Sequence, residues 1–359
     1  MKHGYNVPMN WSFAAAVSIA AAAAMLTGQQ EGRIGSNSSS GSLTDVPGIK
    51  VGHHAMSGRP TGCTVILAER GAVAAVDVRG AAPATRETDL LDPVNTVQIA
   101  HAVVLSGGSA FGLETASGVM RYLEERKIGF AFGPAHVPIV PAAALFDLSV
   151  GDGRIRPNAD CGYQAARTAA EGAVQEGNVG AGAGATVGKS AGRERAMKGG
   201  VGNASITMPD GLIVAALVAT NALGDIIDPS TGQIVAGART ADGRGFADAR
   251  TLMRAGNLRF QTAENTTLGV VATNATLTKV EAKRVAEMAH DGYARAIVPS
   301  HTPVDGDTIF TLATGSRTGR ADAGLVGVLA ADVVARAILR SVRAAESIAG
   351  YPAARDVGK

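Results

Sequence analysis

A chain of 359 residues that is 46% hydrophobic holds enough apolar material for one large domain or two ordinary ones. Its 33 basic and 31 acidic residues are interspersed and leave a formal net charge of +2, which argues against the basic stripe of a nucleic-acid binder and the acidic tail of a solvating segment. Aromatic residues make up only 4%, while glycine alone accounts for 46 positions, so the core has to be built from small side chains that let helices and sheets approach closely.

The chain opens with Lys2 and His3, then an apolar run from Phe13 to Leu26. The run falls short of the roughly 20 apolar residues that span a bilayer, and Ala22-Ala23-Ala24 offers a small-residue cleavage site. Residues 1–28 are therefore predicted to be a signal peptide of an exported protein, with no stable membrane span. The alternatives are an alanine-rich terminal helix, or a misassigned start codon ahead of a cytoplasmic protein. Residues 29–44, rich in Gln, Gly, Ser and Asn, read as a flexible linker. Folding is expected to begin near Asp45, in a single domain over 45–359.

Strand-length apolar runs follow at Thr64–Leu67, Val73–Val78 and Ala102–Leu105. A helix is predicted over Gly112–Glu125 and another over Tyr163–Glu171. Ala204–Met208 and Leu212–Thr220 read as strands. Residues 237–265 lose apolar periodicity and read as an exposed connection with a short helix around Ala247–Met253. A strand returns at Leu268–Ala272, and Thr278 with Glu281 forms a capping box that opens a helix. Asp307–Ala313 reads as a strand and Gly324–Ile348 as a long alanine-rich helix. Strand groups alternating with helices predict sheets covered by helices. Cys63 and Cys161 fit neither a disulfide framework nor a zinc site and are expected to be a buried pair of free thiols.

Asn265-Thr266-Thr267 ends the polar connection and precedes an apolar strand. A self-processing enzyme needs its scissile bond in such a place, and a threonine freed at a new N-terminus carries a nucleophile and a base together. Its α-amine, with a reference pKa of about 7.7–8.0, can take the hydroxyl proton. Loop-to-strand junctions also favour Asn and Thr, so the tripeptide alone decides little. The run Gly180–Ser190 misses the phosphate-loop spacing, because Ala183 stands where the first glycine belongs. It reads instead as a permissive backbone that lets Lys189 approach another group. Asp305-Gly306-Asp307 is either a plain turn or a carboxylate pair that orients a hydroxyl or holds an amine. Asn221, at a strand end, could donate to an oxyanion. His53, His54, His101, His136, His290 and His301 show no metal-ligand spacing, and Phe111 spoils a serine-hydrolase elbow at Gly107–Phe111.

Several of these pieces form an ordered series: Val76–Gly80, Thr85–Leu91, Leu105–Gly112, Met197–Gly202, Asn265–Thr267 and Asp305–Thr308. In that order they resemble the DmpA/NylC-type self-processing aminopeptidases, a family that includes β-peptidyl aminopeptidases and nylon-oligomer hydrolases, over about residues 44 to 350. The resemblance implies an α/β fold, a four-layer αββα sandwich similar to N-terminal nucleophile hydrolases. It implies cleavage into an α chain ending at Asn265 and a β chain starting at Thr266, a homo-oligomer of processed units, a small peptide or amide substrate and no cofactor or metal. By position it assigns Thr266 as nucleophile in the threonine branch, Lys189 and Asn221 as its lysine and oxyanion asparagine, and Asp305 and Asp307 as its aspartate pair. Phe146 stands where the family has a tyrosine, which removes a hydroxyl, and Ala81 and Ala84 replace expected glycines. An acyltransferase of the ornithine acetyltransferase type and a non-catalytic binding protein on the same fold remain as alternatives.

Overall fold

The computed structural model describes Met1, residues 41–257 and residues 265–357. The predicted signal peptide and all but the end of the predicted linker lie outside the described residues. The end of that linker, from Gly41, is part of the packed body: Leu43 is buried and its N–H donates to Asn203 Oδ1 at 3.0 Å. Packing therefore starts ahead of Asp45.

Eight strands organise the body: β1 (Lys50–Ala55), β2 (Gly62–Val78), β3 (Ile99–Ser106), β4 (Ala142–Ala144), β5 (Gly200–Thr207), β6 (Ile213–Thr220), β7 (Leu268–Thr273) and β8 (Thr308–Ala313). The two apolar runs predicted at Thr64–Leu67 and Val73–Val78 are one strand, β2, interrupted by a register shift between Leu67 and Ala72. That irregularity bends the strand. Its first half pairs with β1 and β3; its last residues, Val73–Val78, pair antiparallel with β8. One sheet thus runs β5-β6-β7-β8-β2 and the other β1-β2-β3-β4, with β2 shared.

Side-chain alternation along these strands sorts the core into three apolar layers. Val214, Ala216 and Val218 of β6 face α4 (Lys279–Ala296) and α5 (Ala323–Ala344). Ala215, Leu217 and Ala219 face inward, where they share a cluster with Ile66, Val103 and Leu105 of the second sheet. Val65, Ala102 and Val104 face outward again, toward α1 (Thr115–Glu124) and α2 (Ala159–Thr168). Helices, sheet, sheet, helices: the four-layer α/β sandwich expected from the sequence is the fold. Small residues set its spacing. A Cβ on Gly118 would fall 1.7 Å from the Ala159 carbonyl oxygen, and one on Gly162 would fall 1.9 Å from that of Thr115, so α1 and α2 meet backbone to backbone.

Thr278 caps α4 as predicted, its Oγ1 accepting from Glu281 N–H while Glu281 accepts from the Thr278 N–H. The helix predicted at Gly112–Glu125 starts instead as a 3-10 turn over Ser109–Glu114. α2 begins earlier than predicted because Asn158 caps it by accepting from Cys161 N–H. The long final helix stops at Ala344 rather than Ile348, and the chain then turns back through an Ile348–Tyr351 bridge. The predicted short helix exists as α3 (Ala249–Arg254), but its connection is less exposed than expected. Buried Asp225 accepts from the N–H groups of Ala238 and Ala249 and fastens it down. Residues 258–264 of that connection lie outside the described residues.

The cysteines correct the sequence reading. Cys63 and Cys161 are joined as a disulfide between β2 and α2, with Cα atoms 6.3 Å apart. They lie 98 residues apart in sequence, and only the packing of α2 onto β2 brings them within bonding geometry. Among the described residues no helix is long and apolar enough to cross a membrane, and no group of three or more His, Cys, Asp or Glu side chains could hold a metal ion.

Candidate active site

Sheet topology gathers one end of four strands. β6 runs antiparallel to β7, so Ala219, near the end of β6, sits opposite Leu268, the first residue of β7. β7 runs parallel to β8, which puts Leu268 beside Thr308. Thr308 in turn faces Val78, the last residue of β2. The residues just outside these ends must converge: Asn221 after β6, Asn265–Thr267 before β7, Asp305–Asp307 before β8 and Arg79–Gly80 after β2.

They do converge, and they are buried. Asn221, Asn265, Thr266, Asp305 and Asp307 are each at most 5% exposed. The Thr266 N–H donates to the Asn221 main-chain carbonyl at 2.8 Å, and the Thr266 hydroxyl donates to the Asn265 carbonyl oxygen at 2.6 Å. That same carbonyl accepts from the Gly306 N–H at 2.9 Å. Asp307 holds the next residue: its Oδ1 accepts from Thr267 N–H at 2.8 Å. The Asp305 carboxylate accepts from Thr302 N–H at 2.8 Å. The Asp-Gly-Asp segment is therefore both a turn and a brace for the Asn265–Thr266 bond. The loop after β2 clamps it from outside, with Arg79 N–H on the Asp307 carbonyl and Ala82 N–H on the Asp305 carbonyl.

Lys189 arrives from the glycine-rich run, its N–H bound to the Leu223 carbonyl and its Nζ donating to Asn221 Oδ1 at 2.9 Å. This is the close approach that the permissive backbone was expected to allow. Asn221 Oδ1 also accepts from Thr186 N–H at 3.0 Å, and Asn221 Nδ2 donates to the Phe146 carbonyl at 3.0 Å. Phe146 thus enters the site through its main chain, while its ring is half-buried. The enclosing protein pushes the Lys189 ammonium down to about 7, opposed by Asp305 and reinforced by Arg193. Burial, with Asp307 as a like-charged neighbour, pushes the Asp305 carboxyl up to about 6.

The sequence assigns no role to three further residues of the site, although one of them, Lys198, lies within the Met197–Gly202 motif. His301 was noted only as lacking metal-ligand spacing; its N–H and Nδ1 both reach Asp307 Oδ2, at 3.1 and 2.9 Å. Asp147, next to Phe146, pairs with Arg59 at 2.6 Å with both side chains fully buried. Lys198 lies fully buried beneath the glycine-rich run and donates to the carbonyls of Gly182, Ala185 and Gly199 at 2.8, 3.1 and 3.0 Å. It pins the segment that delivers Thr186 to Asn221.

Burial pushes Lys198 down to about 7, as it does Lys189. The unfolded chain keeps both lysines near 10.5, so between pH 7 and 10.5 it binds more protons than the folded chain. Stability must then rise with pH across that window. Urea midpoints measured at pH 7, 8 and 9 are expected to increase, and Lys198→Met should flatten the trend. A midpoint that falls steadily from pH 7 to 9 would contradict this account.

Comparison with known proteins agrees with the geometry. The model of peptidase family S58 matches residues 41–355. A Mycobacterium tuberculosis protein named as an uncharacterised aminopeptidase is 44% identical over 356 residues, covering 88% of this chain and 97% of the relative. A 6-aminohexanoate-oligomer endohydrolase from Kocuria sp. is 32% identical over 322 residues, covering 83% of this chain and 85% of the relative. Among solved structures, a β-aminopeptidase from Burkholderia sp. superposes with a TM-score of 0.63 at 22% identity, covering 85% of this chain and 88% of that one. The L-aminopeptidase D-Ala-esterase/amidase of Ochrobactrum anthropi, described as a variant of the Ntn hydrolase fold, superposes with a TM-score of 0.62 at 20% identity, covering 85% and 87%. The chain is a hydrolase of amide bonds and belongs to peptidase family S58.

Proposed function

We propose that this chain cuts itself between Asn265 and Thr266 and then uses the freed Thr266 as the nucleophile of an aminopeptidase. One observation carries the reading: the buried Thr266 hydroxyl sits 2.6 Å from the carbonyl oxygen of the bond it would attack, and Gly306 N–H holds that oxygen from the other strand. In the uncut chain Oγ1 attacks the Asn265 carbonyl carbon, the amide becomes an ester as the Thr266 nitrogen leaves as an α-amine, and water then hydrolyses the ester and frees the Thr266 hydroxyl. In the processed enzyme that amine accepts the hydroxyl proton as Oγ1 attacks a substrate amide. Lys189 and the Asp305–Asp307 pair are the titratable groups enclosing the step. Asn221 serves as oxyanion donor in turnover: one Nδ2 hydrogen stays on the Phe146 carbonyl and orients the amide, and the other is given to the substrate oxygen. With Phe146 in the tyrosine position, that position supplies no phenol.

The substrates proposed are short peptides, amino-acid amides or ω-amino-acid oligomers; the relatives named as aminopeptidases are more similar to this chain than those named as oligomer hydrolases, which favours peptides with a free amino end. Processed units are proposed to assemble as a homo-oligomer, for which the hairpin bearing exposed Phe130, Phe132 and Val137 offers an apolar surface. Intact mass spectrometry with N-terminal sequencing tests the reading. Two chains are expected, one of them starting at Thr266, and removal of residues 1–28 would appear in the same spectrum as the mark of export. A single uncut chain that nevertheless hydrolyses peptide amides would reject self-processing. Product going to an added amine rather than to water would reassign the enzyme as a transferase.

A further inference from the structure

Self-cleavage needs a group that takes up the charge forming on the Asn265 oxygen, and the main-chain donor already on that oxygen in the uncut chain is the Gly306 N–H, at 2.9 Å. Asn221 Nδ2 donates to Phe146, and the main-chain carbonyl of Asn221, an acceptor, faces Thr266. Resting on the function proposed above, we propose that the main-chain N–H of Gly306 is the oxyanion donor of self-cleavage, so that processing and turnover use different donors.

Three features converge on it. First, the N–H already points at the scissile oxygen, at 2.9 Å, through the bridge that pairs Asn265 with Asp305. Second, it cannot drift: the carbonyls on either side of Gly306 are held, that of Asp305 by Ala82 N–H at 2.8 Å and that of Asp307 by the N–H groups of Arg79 and Gly80 at 3.0 and 3.2 Å. A donor fixed before the reaction needs no reorganisation as charge develops, and in a buried site its effect is strengthened. Third, the position tolerates no side chain. A Cβ on Gly306 would lie 2.7 Å from Thr266 Oγ1 and 2.7 Å from the Ala82 carbonyl oxygen. The glycine leaves room for the nucleophile while its amide grips the electrophile.

The step balances without a further reactant. The Oγ1–C bond forms, and the carbonyl π pair moves onto the oxygen facing Gly306. The pair returns as the C–N bond breaks, and the hydroxyl proton ends on the Thr266 nitrogen, which leaves as an amine. Water then splits the ester into the Asn265 carboxylate and the Thr266 hydroxyl.

The test replaces the N–H by an oxygen that cannot donate and adds no side chain; the Asp305 carbonyl becomes a weaker, ester acceptor for Ala82 N–H, and the Thr314 control makes the same kind of change at the Ala313 carbonyl. Full-length chain is made by cell-free translation with Gly306→glycolic acid, which replaces the amide by an ester and adds no side chain. As a control, the same edit is made with the hydroxy acid analogue of Thr314, whose N–H donates to the Thr273 carbonyl at 2.9 Å at the far end of β7 and β8. Release of the fragment beginning at Thr266 is followed over time in the protease-resistant fraction. The Gly306 ester is expected to slow cleavage by roughly 10²–10³-fold, and the Thr314 ester by no more than a few-fold. Equal slowing by both esters, an unchanged rate for the Gly306 ester, or a Gly306 ester with no protease-resistant fraction would overturn the proposal. A parent chain that never cleaves would instead sink self-processing itself, so the two failures can be told apart.

Discussion

Thr266→Ala is expected to give a single chain that neither cuts itself nor hydrolyses any amide. The substitution takes away the hydroxyl that both reactions share. It leaves the Thr266 N–H on the Asn221 carbonyl and the Gly306 N–H on the Asn265 carbonyl, so the fold and the convergence of the four strand ends persist. Loss of activity with an unchanged unfolding profile is therefore the expected combination. Thr266→Ser keeps a hydroxyl on the same carbon and should still cleave, at an altered rate. The measurement is fragment release on a denaturing gel, followed by hydrolysis of an amino-acid amide. Fragments appearing in the alanine variant at the parent rate would place the nucleophile elsewhere.

The largest stability effect is expected at Arg59. Arg59 and Asp147 pair at 2.6 Å with side chains that are 0% exposed. Arg59 also donates through Nε to the Val150 carbonyl and through Nη1 to that of Ile155, both at 2.7 Å. Arg59→Met strands a buried carboxylate with only Thr61 Oγ1 and Gly108 N–H as partners, and it leaves those carbonyls unmet. Removing one member of such a pair typically costs about 3–5 kcal/mol. Urea denaturation should show it as a lowered midpoint. The double change Arg59→Met with Asp147→Leu should recover part of the loss, because two apolar groups need no mutual charge. The effect should also reach catalysis. Asp147 follows Phe146, whose carbonyl holds Asn221 Nδ2, so the single variant is expected to turn over more slowly than its folded fraction accounts for. A variant within about 1 kcal/mol of the parent would mean that water reaches the pair.

Much of the architecture was legible from periodicity and local chemistry. The runs that became β6, β7 and β8 are apolar enough, and the Thr278–Glu281 cap local enough, to be read without a fold. What failed was information carried between distant segments. β2 read as two strands because Glu69-Arg70-Gly71 looks like a turn between two runs; Gly71 takes a positive φ there, yet the strand passes through. Cys63 and Cys161 read as free thiols because nothing in either neighbourhood points across the 98 residues that separate them. Glycine-rich segments such as Gly180–Gly188 carry no amphipathic period, so what they bring together follows from hydrogen bonds made elsewhere.

For the site the division is similar. The sequence by itself determined a candidate bond and a candidate residue set: Asn265–Thr266 at the mouth of a strand, Asp305 and Asp307 before another, Asn221 after a third and Lys189 in a permissive loop. These are local matters of residue chemistry and spacing, and ordered motifs distinguish them from ordinary turns. Only the tertiary structure decided that His301 grips Asp307, that Phe146 contributes a carbonyl, that Lys198 and the Arg59–Asp147 pair support the loops, and that Gly306 faces the Asn265 carbonyl oxygen. The physical reason is strand pairing. Two antiparallel registers and one parallel register bring the ends of β2, β6, β7 and β8 to one edge of the sheet, and registers are set by long-range burial of one strand face against another.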